Sequence, residues 1–412
     1  MLDEIDIGEI LENTGLLSTD TRFLENKKYF ICFKGDKHDA HDFLGELVSN
    51  EDLKYIFVET CKGIESEKLV KVDSCLEFYH YLANEYRKKI NPKVIAVTGS
   101  SGKTTTKNLL KTVFETSYKV HATEANFNNE YGVPKTILSM PKDTQVLICE
   151  MGMRGLGQID LLSRTAEPNF AAITNIGSAH IEILGSLEKI REAKLEILNG
   201  FNPENTGNKF FVLNTLADFI ENCEQYSQIL KDRKIELVNV KNDFRYTLSP
   251  KFLISIGILD DMALVRDMAL ACDIDKDKIQ EALENFSPDK GRGNFIYHEK
   301  ISINKNIIFI DETYNANLEA IQSSINALKE MFPSQKKIAV LGNVKESDNE
   351  QVESLFEKLK KDQELILVDV RSLNHKEAKD IIDRELVDDA VVFFKASRSE
   401  KLEELIAMYA VN

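Results

Sequence analysis

The residues with the clearest chemistry form a glycine-rich turn between an apolar run at 93–97 and a helical pattern at 107–115. Its predicted binding residues are Gly99, Ser100, Ser101, Gly102, Lys103, Thr104 and Thr105. Glycines let backbone N–H groups face a phosphate, and the helix start adds partial positive charge. Lys103 would reach the terminal phosphates, and the Thr104 hydroxyl would bind Mg²⁺. The G-x-x-G-K-T spacing is shorter than the common G-x-x-x-x-G-K-T, so a plain turn is the alternative, but the strand–loop–helix order favours nucleotide binding.

Three ionisable residues downstream could complete a site for a magnesium nucleotide. Glu150 follows the apolar run at 146–149, at the strand end where open α/β sheets bind ligands, and a carboxylate there can hold Mg²⁺. His180 follows the apolar run at 171–174, and Lys194 lies in a helical stretch. A loop histidine and a helical lysine are more often structural or solvated, so residue chemistry alone assigns a role only to Glu150.

These residues need a scaffold, and the chain has the pattern of an α/β protein with three domains: residues 1–91, 92–293 and 294–412. Asn91-Pro92 ends the first, and a linker with Pro and Gly at 287–293 ends the second. The second predicts a mostly parallel sheet covered by helices, and the third a Rossmann-like domain. Predicted strands lie at 29–33, 55–58, 93–97, 146–149, 171–174, 307–310, 338–341, 365–368 and 390–394, and predicted helices at 76–89 and 279–285.

The composition argues against several classes of function. With 52 Lys+Arg against 68 Asp+Glu, the net charge is −16, which argues against general binding to nucleic acid or to anionic membrane. The acidic N-terminus lacks the features of a signal peptide, and no apolar stretch approaches ~18 residues. The 6 cysteines are scattered without a C-x-x-C pair, so neither zinc nor disulfides are indicated. We expect a cytoplasmic protein without a membrane span.

Several motifs in order along the chain resemble the Mur ligase family. They are TGSSGKTTT at 98–106, NFNNEYGVP at 126–134, EMGMRGLGQI at 150–159, NIGSAHIEILGS at 175–186, EAKLEIL at 192–198 and DETYNAN at 311–317. The second and third motifs are similar to the MurF branch, which adds D-alanyl-D-alanine to UDP-N-acetylmuramoyl-tripeptide in peptidoglycan synthesis. The first domain resembles the UDP-binding domain of that branch, and KASR at 395–398 resembles its K-G-S-R.

The resemblance implies a reaction and a set of roles. ATP would phosphorylate a substrate carboxylate, and the amine of D-alanyl-D-alanine would attack the resulting acyl phosphate. Lys103, Glu150, His180 and Lys194 would be catalytic. Thr104, Glu150, His180 and Lys194 would hold two Mg²⁺ ions. Carbamylation of Lys194 would turn its cationic amine into an anionic oxygen ligand, which suits a hard divalent cation.

Further binding residues are implied by the same motifs. Contacts to the nucleotide are implied for Asn129, Asp260, Arg292 and Asp311. Contacts to the substrates are implied for Ser18, Thr19, Asp20, Arg22, Lys34, Asn126, Asn128, Arg154, Tyr314, Asn315, Asn317, Ser397 and Arg398. The first five of these lie in the UDP-binding domain, and those at 314–317 would lie near the incoming amine. We expect a monomer.

Three stretches differ from the family pattern. The chain between Leu213 and Gly257 is shorter than in family members, so part of the central domain is trimmed. Residues 257–263 read GILDDMA where the family has G-x-H-N-V-x-N, and Asp260 stands where an asparagine holds adenine. Asp260 could still accept a hydrogen bond from an adenine amine. Residues 342–347 read GNVKES instead of the family's G-D-M-x-E-L-G.

These differences keep alternatives open. One is a paralogue with the same chemistry on a different acceptor or amine. Another is a non-catalytic nucleotide-binding relative, which would not need Lys103, Glu150, His180 and Lys194 together. Folylpolyglutamate synthase shares the loop and the lysine, but it normally starts near its phosphate loop, whereas a UDP-domain-like unit comes first here.

Overall fold

The computed structural model describes residues 5–35, 37–177, 181–204, 207–213, 217–240, 256–297, 305–344 and 349–410. Helices cover three sheets that follow one another along the chain. The predicted α/β class is therefore confirmed, whereas the domain boundaries after residues 91 and 293 stay predictions. Among the helices of the described ranges, none combines the length and the apolar character needed to cross a membrane.

The first sheet is small and wholly parallel, with strands in the order β1-β2-β3-β4. Its strands are β1 Leu17–Ser18, β2 Tyr29–Ile31, β3 Tyr55–Val58 and β4 Leu69–Lys71, and its helices are α1 Ile7–Glu12, α2 Leu44–Ser49 and α3 Cys75–Ile90. Helix α3 ends at Asn91, whose backbone is left-handed with φ 52°, immediately before Pro92. The predicted stop before this proline is confirmed, since the residue before proline avoids the helical region.

The second sheet has six parallel strands in the order β10-β9-β8-β5-β7-β6. Its strands are β5 Lys93–Thr98, β6 Val120–Ala122, β7 Val146–Glu150, β8 Phe170–Ile173, β9 Phe210–Leu213 and β10 Glu236–Asn239. Its helices are α4 Lys103–Phe114, α5 Gly132–Leu138, α6 Gln158–Ala166, α7 Ile181–Leu184, α8 Leu187–Leu195, α9 Ala217–Asn222, α10 Glu224–Arg233, α11 Ile256–Ala271 and α12 Lys276–Glu284. Strand β5 lies between β7 and β8, so these three strands end side by side at one edge.

The third sheet has the order β11-β12-β15-β13-β14, and only β11 among these strands is antiparallel. Its strands are β11 Asn294–Tyr297, β12 Ile307–Asp311, β13 Lys337–Leu341, β14 Ile366–Asp369 and β15 Ala390–Lys395. Its helices are α13 Leu318–Met331, α14 Asn349–Lys360, α15 His375–Glu385 and α16 Leu402–Ala407. Parallel strands joined by helices give the predicted Rossmann-like arrangement.

The sequence pattern missed several short or marginal strands: β1, β4, β6, β9, β10 and β11. Each has two to four residues, so few side chains carry its pattern, although β2, β3, β8 and β14 are as short and overlap predicted strands. Strand β10 lies in the stretch between Leu213 and Gly257 that we expect to be trimmed, β9 ends where this stretch begins, and both strands extend the central sheet at one side. Residues 241–255, in the same stretch, lie outside the described residues.

Helix α3 attaches the first sheet to the central one through buried polar contacts. The guanidinium of Arg87 donates to the carbonyl oxygens of Ala166 (2.9 Å) and Glu167 (2.9 Å) and to the Glu167 carboxylate (3.0 Å). Arg87 is only 5% exposed. A cation that meets the free carbonyls at the end of α6 interacts favourably with the helix dipole. This contact fixes α3 against the central domain.

Replacing Arg87 with methionine should lower the free energy of unfolding by about 3 kcal/mol, because two carbonyl oxygens lose a donor and the partly buried Glu167 carboxylate loses its nearest cation. Urea unfolding followed by circular dichroism measures the change. Lys88→Met is the matched control, because the exposed Lys88 ammonium lies 3.0 Å from Glu85 and only 3.9 Å from Glu167, and its loss should cost less than about 0.5 kcal/mol. Equal effects of the two substitutions would contradict the structural role of Arg87.

Candidate active site

The predicted phosphate loop joins β5 to α4 at the edge where the central strands end. Gly102 precedes the helix with φ 79°, a left-handed conformation that favours glycine. A Cβ atom at Gly99 would lie 1.8 Å from the Thr174 hydroxyl oxygen, so only glycine fits there. The Lys103 ammonium donates to the Gly99 carbonyl oxygen at 2.8 Å, so the side chain folds back over its own loop. The local geometry is that of an anion-binding loop at a helix N-terminus.

The segment after β8 holds this loop in place. The Asn175 side chain accepts a hydrogen bond from the Ser101 N–H (2.9 Å) and donates to the Ser101 hydroxyl (2.6 Å). The Asn175 carbonyl oxygen accepts from the Ser100 N–H at 3.1 Å. The Ser100 hydroxyl donates to the Gly177 carbonyl oxygen at 3.1 Å. The loop is therefore held in one shape before any ligand arrives.

Glu150 is the last residue of β7, and its carboxylate is 2% exposed. One carboxylate oxygen, Oε1, accepts a hydrogen bond from the Asn128 amide at 2.8 Å. The other oxygen, Oε2, is buried and has no hydrogen-bond partner among the described residues. Leaving a buried charged oxygen unsatisfied is costly, so such an atom calls for a ligand. A divalent cation at this oxygen would fit both the charge and the preference of Mg²⁺ for carboxylate oxygens.

Lys194 lies near the end of α8 with its side chain 1% exposed. Burial lowers the pKa of Lys194 well below its ordinary value, and the charge of Lys103 lowers the pKa further. A buried lysine amine in these surroundings favours the neutral form. The neutral amine is nucleophilic, which the ammonium ion is not.

A cavity of about 500 Å³ connects the loop with residues of the C-terminal domain. From the central domain it is lined by Ser100, Ser101, Gly102, Lys103, Thr104, Thr105, Asn126, Asn128, Glu150, Thr174, Asn175, Ile258, Asp260 and Asp261. From the other side it is lined by Gly291, Arg292, Glu312, Tyr314, Asn315, Ala316, Asn317, Glu319, Ala320, Ser323, Ser324 and Lys395. The volume lies in the usual range for small-molecule sites.

The ring of Tyr314 organises the far wall of the cavity. The guanidinium of Arg292 lies 3.8 Å from the ring centroid, and that of Arg398 lies 5.0 Å from it. Both distances are typical of cation–π contacts, in which an aromatic ring orients a planar cation. The Tyr314 N–H also donates to the Gly291 carbonyl oxygen at 3.0 Å, so the linker and the C-terminal domain meet at this residue.

Two segments of the chain match domains of known proteins. Residues 97–244 match the Mur ligase middle domain, and residues 298–411 match the domain described as Mur ligase, glutamate ligase domain. The UDP-N-acetylmuramoyl-tripeptide--D-alanyl-D-alanine ligase of Bacillus subtilis (strain 168) is 32% identical over 347 residues, covering 80% of this chain and 73% of that protein. The chain belongs to the Mur ligase family.

Two further relatives agree with this assignment. The ligase of the same name from Synechocystis sp. is 34% identical over 343 residues, covering 80% of this chain and 72% of that protein. The crystal structure of the MurF ligase from Thermotoga maritima in complex with ADP superposes with a TM-score of 0.79. That structure is 27% identical, and the match covers 95% of this chain and 96% of the other. The three-domain architecture is therefore that of the Mur ligases.

The cavity of this Mur ligase brings together many residues singled out from the sequence, but not all of them. The whole predicted phosphate loop after Gly99 lines it, as do Asn126, Asn128, Glu150, Asp260, Arg292, Tyr314, Asn315 and Asn317. Asn129 is not among the lining residues, and its amide oxygen accepts from the Gly132 N–H (2.9 Å) at the start of α5. Arg154 is exposed outside the cavity, and His180 lies outside the described residues.

Two C-terminal positions singled out from the sequence have structural contacts instead of a place in the cavity wall. Asp311 ends β12, and one oxygen of its buried carboxylate accepts from the Thr313 hydroxyl (2.7 Å) and N–H (3.2 Å). Ser397 is buried, and its hydroxyl lies 3.0 Å from the Ser399 hydroxyl. Both side chains hold the turns that carry Tyr314 and Arg398.

The predicted substrate residues of the first domain form a group of their own around the turn after β1. Arg22 and Asp20 pair with each other, with Nε–Oδ1 at 2.9 Å and Nη2–Oδ2 at 2.6 Å, which lowers the pKa of Asp20 to about 2. The Ser18 hydroxyl accepts from the Asp20 N–H at 3.2 Å. Lys34 forms a backbone bridge with Asp39 at the start of a neighbouring loop. None of these residues lines the 500 Å³ cavity.

Among the polar residues of the cavity wall that the sequence analysis missed, three are connected by contacts: Glu312, Ser324 and Lys395. The Lys395 ammonium lies 2.9 Å from the Glu312 carboxylate, which also accepts from the Ser324 hydroxyl at 2.7 Å. Lys395 ends β15, and Glu312 follows β12, so both stand at the strand ends where α/β sheets bind ligands. That rule could have identified them, since it identified Glu150.

The pKa of Lys194 predicts an unusual dependence of stability on pH. In the unfolded chain the amine holds its proton up to its ordinary pKa, whereas in the folded protein the pKa is lower. Between the two values the unfolded chain binds more protons, so stability rises with pH. Without bicarbonate, Lys194→Met should therefore be more stable than the wild type at pH 7, by about 1–3 kcal/mol.

This advantage of the methionine variant should shrink as the pH rises toward about 10. Denaturant unfolding at several pH values measures it. Lys189→Met, on an exposed position of the same helix, is the control and should show no such trend. A Lys194→Met protein that is less stable than the wild type at every pH would show that the buried amine is not destabilising.

Proposed function

We propose that this protein is an ATP-dependent, ADP-forming ligase that joins D-alanyl-D-alanine to UDP-N-acetylmuramoyl-tripeptide. The reaction would supply a precursor for peptidoglycan synthesis. The observation that carries the proposal is the shared cavity, in which the predicted phosphate loop and the Glu150 carboxylate, whose Oε2 atom has no partner among the described residues, face Arg292 and Lys395. Relatives that bear this activity in their names are 32% and 34% identical to this chain.

The chemistry explains why such a cavity is needed. A carboxylate is a poor electrophile, so the γ-phosphoryl group of ATP is first transferred to it, which gives an acyl phosphate and ADP. The amine nitrogen then attacks the acyl carbon, the new C–N bond forms, and the C–O bond to phosphate breaks. Transfer of a phosphoryl group depends mainly on positioning and on neutralisation of its charge. Water must stay out, because it would hydrolyse the acyl phosphate.

In this arrangement the central domain would hold the nucleotide phosphates. Backbone N–H groups of residues 102–105 at the N-terminus of α4 would face the phosphate oxygens, while the N–H groups of Ser100 and Ser101 donate to Asn175. The Lys103 ammonium, now on the Gly99 carbonyl, would turn to the terminal phosphates. Asp260 lines the cavity, half-buried, and would meet the adenine amine. Arg292 would approach the nucleotide from the opposite wall, and Asp311 would hold the turn behind it.

Mg²⁺ would be held by Thr104 and Glu150, with carbamylated Lys194 and His180 near a second ion. The orphaned Oε2 atom of Glu150 supports the first site. When bound, the metal would neutralise charge on the transferring phosphoryl group. The buried amine of Lys194 supports the carbamate, because a neutral amine adds to CO₂, loses a proton and becomes an anionic oxygen ligand.

The substrate roles that we propose combine the family motifs with the position of each residue. Asn126 and Asn128 in the central domain would meet the carboxyl end of the tripeptide, with Arg154 farther out. The amine would dock near Tyr314, Asn315 and Asn317. The UDP group would lie on the first domain at Ser18, Thr19, Asp20, Arg22 and Lys34, while Ser397 and Arg398 support the amine side. We further propose a monomer that acts in the cytoplasm, where ATP is available.

A paralogue with another amine is the second candidate, and one observation favours it. Gly342-Asn343-Val344 follows β13 at the edge that carries Lys395, where the family has G-D-M. Asn343 is not one of the residues that line the cavity. Its amide donates to the Glu400 carboxylate at 2.9 Å. An amide in place of a carboxylate changes the charge near the amine side, so amine preference could change with it.

We expect phosphate release from ATP and Mg²⁺ only when UDP-N-acetylmuramoyl-tripeptide and D-alanyl-D-alanine are both present. A coupled phosphate assay and mass spectrometry of the product measure this. Release with the tripeptide and a different dipeptide or amino acid, but not with D-alanyl-D-alanine, would select the paralogue. No release with any amine, together with no ATP binding, would overturn the proposal in favour of a non-catalytic relative.

The carbamate predicts that activity depends on CO₂. Enzyme degassed and assayed in bicarbonate-free buffer near pH 6.5 should lose most of its activity, and bicarbonate should restore it. Lys194→Ala should be inactive, folded and insensitive to bicarbonate. Lys189→Met should behave like the wild type in both buffers. Full activity of Lys194→Ala would remove Lys194 from the site.

A further inference from the structure

A second lysine of the phosphate-loop helix is buried behind the site instead of within it. Lys107 lies one turn after Lys103, is 6% exposed and is not a lining residue of the cavity. Its ammonium donates to the carbonyl oxygen of Thr123 at 2.9 Å. A lysine is rarely buried to this extent without a structural or functional reason.

Thr123 connects this lysine to the strand that carries Glu150. It follows β6 and is 1% exposed. Its hydroxyl oxygen accepts a hydrogen bond from the backbone N–H of Glu150 at 3.0 Å, and its own N–H donates to the Ile148 carbonyl at 2.9 Å. The contacts therefore run from Lys107 to Thr123 and from Thr123 to the backbone of Glu150.

Electrostatic interaction also connects Lys107 with Glu150. Burial lowers the pKa of Lys107, and the attraction of Glu150 is the largest effect that opposes this lowering. Asp289 attracts the same ammonium, while Arg292 and Lys111 repel it. The Lys107 charge thus lies close enough to Glu150 to interact with it. Within the described part of the chain the Oε2 atom of Glu150 has no partner, so Lys107 does not occupy the oxygen available to a metal.

We propose that Lys107 is a positioning residue, which acts through Thr123 to hold the Glu150 carboxylate in the geometry that binds a divalent cation. The inference rests on the proposed metal role of Glu150. Groups that orient a metal ligand from behind typically change metal affinity by 10–100-fold when removed. A lysine that merely filled space would not affect metal affinity, since its removal would change only stability.

The test is Mn²⁺ binding to the full-length protein in the presence of ADP, followed by electron paramagnetic resonance. Lys107→Met keeps the aliphatic stem and removes the donor and the charge. Thr123→Val keeps the branched shape and removes the hydroxyl. Each should weaken Mn²⁺ binding about tenfold or more. The double variant should bind Mn²⁺ as tightly as the single variant with the lower affinity, because both substitutions interrupt the same chain of contacts.

Two matched controls separate positioning from folding. Thr123→Ser keeps the hydroxyl, and Lys111→Met removes an exposed lysine from the next turn of the same helix. Both should bind Mn²⁺ within about twofold of the wild type. If Lys107→Met lowers the melting temperature and leaves Mn²⁺ affinity unchanged, the inference is wrong. If the Mn²⁺ dissociation constant of the double variant rises by the product of the two single effects, Lys107 and Thr123 do not act through one chain of contacts.

Glu150→Gln distinguishes failure of the inference from failure of the proposed function. If Glu150→Gln binds Mn²⁺ as tightly as the wild type, the metal role of Glu150 fails, and the role of Lys107 fails with it. If Glu150→Gln weakens binding while Lys107→Met and Thr123→Val do not, only the positioning role is overturned. The half-saturating Mg²⁺ concentration for phosphate release should rise in parallel with the Mn²⁺ dissociation constant.

Discussion

Close packing of the chain beneath the phosphate loop is the constraint on which the site depends. At Gly99 the backbone passes so near the Thr174 hydroxyl that a single methyl group would not fit. This approach lets Asn175 accept from the N–H groups of Ser100 and Ser101, which fixes the loop at the edge of the cavity. The order of strands makes it possible, because β5 lies between β7 and β8 and all three end at the same edge. The loop, the Glu150 carboxylate and the cavity floor therefore lie at one edge of the central sheet.

Ionisable groups are buried around this loop to an extent that stability alone would not favour. Burial raises the pKa of Asp261 well above its ordinary value, and its carboxyl group packs against Gly102. Glu150 keeps an unpaired oxygen, and Lys194 is buried with a lowered pKa. Desolvated charges cost free energy unless a partner compensates them. Buried ionisable groups near a cavity, of which Asp261 and Glu150 line this one, are typical of functional sites, where a ligand provides the missing interaction.

The two outer domains meet the central one in different ways. The first is attached by buried hydrogen bonds, of which those of Arg87 are the clearest. The third meets it across a cavity of about 500 Å³, where Tyr314 holds Arg292 and Arg398 on its ring. A polar cavity between domains allows substrates to enter, and closer approach of its walls would exclude water from an acyl phosphate. In the proposed reaction the nucleotide would lie on one wall of this cavity and the amine on the other.

The sequence by itself determined the phosphate loop, the α/β class and the position of Glu150. These features depend on local spacing, since a glycine turn between strand and helix, or a carboxylate after an apolar run, is visible within a few residues. Resemblance added Arg292, Tyr314 and the two asparagines after it, whose motifs are also local. Only the tertiary structure decided which distant residues meet: Lys107 with Thr123 behind Glu150, and Lys395 with Glu312 and Ser324 in the far wall. Burial, which lowers the pKa of Lys194 and leaves one oxygen of Glu150 unpaired, likewise depends on packing between segments far apart in the chain, and no local pattern contains it.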